Sequence, residues 1–65
     1  MVYEKVLFYC AQKGMSVAAF ERMCNLGNGT VSKWKLREPS FSSLMRIVNA
    51  TGVSLKEWVG ESYGY

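Results

Sequence analysis

Stop signals, more than any other feature, constrain what this chain can fold into. Gly14, Asn25, Pro39, Gly52 and Gly60 cut it into short pieces, and within each piece the apolar residues recur at helical spacing. No piece shows the strict alternation of a half-buried strand. Over 2–13, Val2, Tyr3, Val6, Tyr9, Cys10 and Lys13 fall within one arc of a helical wheel, and Gly14 stops the helix. Ser16 caps a second helix over 16–24 with Val17, Phe20 and Cys24 inward. Asn25 follows at a break, where asparagine tolerates the left-handed conformation better than most residues. A third helix is expected over 28–35, with Val31 and Trp34 inward. Leu36 to Pro39 is a connector, because proline forbids continuation and restricts the Glu38 before it. Ser40 caps a fourth helix over 41–51, with Phe41, Leu44, Ile47 and Val48 inward. Ser54 and Glu57 form a capping box for a fifth over 55–59, carrying Leu55, Trp58 and Val59. Residues 61–65 read as a loose tail. The expected fold is all-α: one domain over 1–65, a compact bundle of five short helices.

Size narrows the function classes. A chain of 65 residues buries only about 60% of its unfolded surface and leaves no room for a catalytic cleft between domains. No apolar run approaches the roughly 20 residues of a membrane span, and no cleavable signal pattern opens the chain. A soluble cytoplasmic protein is the expectation. Cys10 and Cys24 should face inward as reduced core thiols. With no histidine and two cysteines, the four ligands of a structural zinc site are not at hand, so no metal is expected. The carboxylates are all glutamates scattered over separate helices, so a nucleophile–base pair is hard to assemble. No enzyme, cofactor or small-molecule ligand is indicated.

Two competing readings of 25–33 fail. Asn28-Gly29 is a strong hairpin dipeptide, yet ERMCNL and TVSKWK on either side keep helical spacing. Gly27, Gly29 and Lys33 resemble a phosphate-binding loop only faintly, since no strand precedes them and the full pattern is absent. What remains, from Ser16 to Lys35, is two short amphipathic segments around a tight break. That is the layout of a helix-turn-helix, whose second helix lies in the major groove of DNA. The net charge of +3 is mild, but Lys33, Lys35 and Arg37 cluster at the end of that second segment. The acids Glu4, Glu21, Glu38, Glu57 and Glu61 are dispersed. A basic cluster so placed favours phosphate contact.

Residues 3–60 as a whole resemble the phage repressor and Cro family of helix-turn-helix regulators, often called the XRE family. The match is carried by SVAAFERMCNLGNGTVSKW, by the proline connector, and by PSFSSLMRIVNATGVSLKEWVG with its Gly-Val-Ser-Leu turn. The resemblance implies that Phe20, Cys24, Leu26, Val31 and Trp34 are buried and set the angle between the motif helices. It places Gly27, Asn28, Gly29, Ser32 and Lys33 toward the major groove, and Thr30, Lys35 and Arg37 toward the DNA backbone. The chemistry agrees: asparagine pairs bidentately with adenine, and lysine donates to guanine O6 and N7. Asn28 has a second reading, in which it only satisfies the first turn of its helix. The chain departs from the family at Val17, where a polar side chain often grips a phosphate, so Lys13 is a candidate to compensate.

The first helix carries Leu7 and Phe8 on its outer face. Together with Trp58, Val59, Tyr63 and Tyr65 they form a candidate surface for self-association or a partner. The family also implies a homodimer, since a symmetric pair reads two half-sites about one helical turn apart. The expected function is sequence-specific binding of double-stranded DNA by a small bacterial or phage-encoded transcriptional regulator, a repressor by resemblance. The alternative is a protein-interaction module that keeps the fold and has lost strong DNA binding.

Overall fold

The computed structural model describes residues 1–60; the tail, including Tyr63 and Tyr65, lies outside the described residues. The elements are α1 (Val2–Lys13), α2 (Val17–Met23), a 3-10 helix (Val31–Lys35), α3 (Phe41–Thr51) and α4 (Leu55–Val59). Three serines start three of the helices. Ser16 Oγ accepts from the Ala19 N–H, Ser40 Oγ from the Ser43 N–H, and Ser54 Oγ from the Glu57 N–H. Each satisfies one of the amides that a helix leaves unpaired in its first turn. The stops act as their chemistry requires. Gly14 takes a left-handed φ of 65°, and its N–H and that of Met15 return to the carbonyls of Ala11 and Cys10. This is the double closure of a Schellman motif.

Helix α1 is the hub of the bundle and packs against α2, the 3-10 helix and α4, while α3 packs on α4. Its inward line is Val2, Val6 and Cys10, one residue per turn, as the sequence pattern requires. Phe20 and Cys24 from the α2 region meet this line, joined by Val31, Trp34, Leu44, Ile47, Trp58 and Val59. Three aromatic rings occupy its centre. Tyr9, Phe20 and Trp58 stand at tilted or edge-on angles, with centroids 5.6, 5.8 and 6.2 Å apart. Such geometry sets the positive edge of one ring against the negative face of another. Lys5 closes the rim, its Nζ donating to the Glu57 carbonyl at 3.0 Å near the end of α4.

Both cysteines are buried and unoxidised. Burial raises the Cys10 thiol pKa, and its Sγ lies 3.9 Å from the Ser16 carbonyl. Burial, with a smaller contribution from neighbouring Cys10, pushes Cys24 up to about 11. Neither thiol is in the thiolate form that reactivity needs.

The fold corrects three expectations. Trp58 and Val59, proposed for the partner surface, are 3% and 6% exposed and belong to the core. The five-residue α4 packs on α1 by turning both inward, so neither lies on the surface. Phe41, expected inward with Leu44, is 66% exposed. It stands at the first position of α3, where the buried residue at that end is Pro39, two positions earlier. Finally, the third helix is not an α-helix over 28–35. Leu7 and Phe8 do remain exposed, Phe8 at 64%.

Candidate nucleic-acid interface

The interface begins where α2 stops. Asn25 adopts φ 59°, the one positive φ outside glycine among the described residues. Its N–H donates to the Arg22 carbonyl at 3.2 Å, and the Leu26 N–H donates to the Glu21 carbonyl at 2.8 Å. This is again a Schellman closure, with asparagine in the place glycine takes after α1. From α3, Arg46 Nη1 donates to the Asn25 carbonyl at 2.6 Å. The turn is therefore held from both sides.

The chain then forms a turn over 28–30 before the 3-10 helix. Gly29 sits at φ 82°, which a right-handed helix cannot contain and which a side chain would strain. The hydrogen bonds around it span three residues: Thr30 N–H to the Gly27 carbonyl, Lys33 N–H to Thr30, and Leu36 N–H to Lys33, each 3.1 Å. Such short spacing defines 3-10 geometry, which is used in short pieces. The recognition helix expected over 28–35 is thus a turn followed by a shorter, tighter helix.

A carboxylate from the preceding helix secures that start. Glu21 is 4% exposed. Its Oε1 accepts from the Gly29 N–H at 3.2 Å and its Oε2 from the Val31 N–H at 2.9 Å. A carboxylate receiving backbone donors on both oxygens makes charge-assisted bonds, stronger than neutral ones. The capping role considered for Asn28 is therefore filled by Glu21. Sequence reasoning passed over this residue as one of several dispersed acids. A signal was present, because Glu21 shares the inward arc of α2 with Val17, Phe20 and Cys24. An acid on an inward arc, followed by glycines whose amides need acceptors, is the pattern that would have revealed it.

On this frame the groove-facing candidates lie together in one short stretch. Gly27, Asn28, Gly29, Ser32 and Lys33 are all exposed, whereas Val31 and Trp34 between and beside them are buried. Ser32 Oγ donates to the Gly29 carbonyl at 2.8 Å, so its hydroxyl proton is engaged inside the turn while its lone pairs stay open. Thr30 is half-buried, and a Cβ at Gly27 would lie 3.2 Å from its Oγ1.

The backbone candidates divide. Arg37 is exposed on the connector. Lys35 places Nζ 5.7 Å from the centre of the Tyr3 ring, and Lys13 does the same over Tyr9. Cation–π contacts at such exposed sites contribute about 0.5–1 kcal/mol, so both amines start from a weak intramolecular partner. Val17 is half-buried and packs against the core, which accounts for an apolar residue at that position.

Two packed segments, a held turn and an exposed polar stretch opening the second segment define a helix-turn-helix DNA-binding domain. The model of the Cro/C1-type HTH DNA-binding domain family matches residues 8–59, and the chain belongs to that family. No curated protein and no solved structure matches it. No helix among the described residues is long and apolar enough to cross a membrane.

Proposed function

We propose that this chain is a transcriptional regulator that reads double-stranded DNA in the major groove, with the stretch from Asn28 to Lys33 as its reading edge. Asn28 and Lys33 supply the base contacts, Gly29 permits close approach, and Ser32 accepts hydrogen bonds from the base edge or from bridging water. Thr30, Lys35, Arg37 and Lys13 serve the phosphates. The observation that carries the reading is the alternation at the 3-10 helix: Val31 and Trp34 anchor it in the core, and the polar residues between them are left exposed. A homodimer on a two-fold site, acting as a phage-type repressor, fits a domain whose reading edge spans so few residues.

Phe8 supports a second reading, in which the domain recruits a protein partner and binds DNA weakly. Its exposure on α1 is unusual for a helix that is otherwise the hub of the core.

Selection of bound sites from random duplex DNA, followed by a salt titration, separates the two. A groove reader yields an enriched, roughly palindromic site and an affinity that falls steeply with salt. Absence of binding to every duplex at low salt would defeat the DNA-reading proposal.

A further inference from the structure

Resting on that DNA-reading proposal, we infer that Glu21 is a specificity-positioning residue: it touches no base but sets the direction in which Asn28, Ser32 and Lys33 are presented. Glu21 belongs to α2, and its two carboxylate oxygens hold two amides that flank Thr30, those of Gly29 and Val31. Gly29 is the pivot of the turn, at φ 82°, and glycine has no side chain that could hold this conformation by packing. Ser32 is tied in turn to the Gly29 carbonyl. A line of hydrogen bonds therefore runs from the α2 interior, through Glu21, to the backbone of the reading edge.

Three further features favour positioning over simple stability. The 3-10 helix has five residues and cannot supply its own rigidity, because short helices are stabilised chiefly by tertiary contacts. Its two buried anchors, Val31 and Trp34, lie at or after the point where the carboxylate attaches, and residues 27–30 contribute no apolar side chain of their own to the core. Leu26 packs on the core just before that stretch, and within it, among the described residues, Glu21 and the short internal bonds of the turn hold the backbone. The same bonds also engage the Gly29 and Val31 amides within the protein. Phosphate contact near the start of the segment must then come from side chains rather than from those two N–H groups, which distinguishes this edge from a helix start that grips phosphate with free amides.

The test compares wild type with Glu21→Gln and Glu21→Asp, measuring affinity for the selected site and for random duplex at the same salt. Glutamine keeps one oxygen acceptor and loses the second; aspartate keeps both but shortens the reach. The positioning role predicts that Glu21→Gln, folded by circular dichroism, loses about tenfold or more in affinity for the selected site. Affinity for random duplex falls far less and the salt slope stays near wild type, because the charged phosphate contacts of Lys13, Lys35 and Arg37 lie outside the pivot and only Thr30 sits within it. A folded Glu21→Gln with an unchanged ratio of selected to random affinity overturns the inference. So does a folded Glu21→Asp in which the Gly29 and Val31 amides lose their protection while selectivity stays at the wild-type level.

If neither variant folds at the binding temperature, amide hydrogen exchange in the wild-type protein decides. Gly29 and Val31 must exchange slowly when free and stay protected on the selected site. Exchange at open-chain rates for both amides sinks the proposal. Failure of the wild type to prefer any site would instead defeat the DNA-reading proposal, and the amide measurement would still report on the Glu21 bonds.

Discussion

Helix α3 and the reading edge lie one short connector apart, yet they are specified in opposite ways. Helix α3 carries its own instructions. Ser40 starts it, Gly52 ends it in the left-handed conformation, and Leu44 and Ile47 mark its buried face. The edge from Gly27 to Lys35 borrows its instructions. Two of its amides, those of Gly29 and Val31, go to Glu21, the carbonyl of the turn before it is held by Arg46, and its pivot glycine contributes only freedom. The contrast teaches that the part of this domain that meets a partner is the part whose geometry is set from elsewhere. Such a segment changes what it presents when a distant residue changes, whereas α3 does not.

Substitutions can break or sharpen this contrast. The largest effect is expected at Trp34→Ala, which removes the buried anchor of the edge. A cost of about 3–5 kcal/mol is comparable to the whole stability expected of so small a domain. Thermal circular dichroism should show no cooperative transition; a preserved transition would mean that the edge is not held by the core. Next comes Asn28→Ala, exposed and outside the cap. It should leave the melting temperature nearly unchanged and relax preference at one base position by about 1–3 kcal/mol, read by binding to single-base variants of the selected site.

The glycine pair offers a direct comparison. Gly29→Ala and Gly52→Ala each force a side chain into positive φ, at about 1–2 kcal/mol by denaturant titration. Selectivity for DNA should fall only with Gly29→Ala. Equal loss of selectivity in both would erase the distinction between borrowed and self-contained geometry. Ser40→Ala should cost about 1 kcal/mol and lower the melting temperature by roughly 4–8 °C, with no change in preferred site.

The smallest effect concerns pH. The Cys24 thiol is raised to about 11 in the fold from an ordinary 9.0, so its protonated form is favoured there. The associated stability is full below pH 9.0 and is lost as pH rises through about 11. Cys24→Ala should flatten this alkaline decline in a series of thermal melts.

Most of the fold was legible in the residues themselves. Ser16, Ser40 and Ser54 cap the helices they precede, Gly14 and Asn25 turn left-handed at their stops, and the α1 line of Val2, Val6 and Cys10 is buried. These features depend on neighbours within a few positions, which periodicity and capping chemistry report well. What escaped were properties of assembly. Trp58 and Val59 could serve either the core or a surface in isolation, because a five-residue helix has no definite inner face until α1 lies against it. Glu21 stands on the inward arc of α2 in the sequence, but its partners are not defined until Gly29 and Val31 are brought to its two oxygens.

The sequence by itself determined where α1, α2, α3 and α4 begin and end, most of the residues that make the core, and that the chain carries a helix-turn-helix motif. Caps, glycine conformations and apolar spacing act over one or two turns and need no partner from afar. Only the tertiary structure decided that the reading edge is a turn and a 3-10 helix rather than a longer α-helix. Gly29, at φ 82°, cannot sit inside a right-handed helix, and the Val31 amide, which an α-helix from Asn28 would pair with the Gly27 carbonyl, goes instead to a carboxylate on α2. The packing of α2 placed Glu21 within 3.2 Å of one amide and 2.9 Å of the other. Charge-assisted bonds at those distances hold the Gly29 turn in place, and the edge takes its shape from the pivot and the two bonds together.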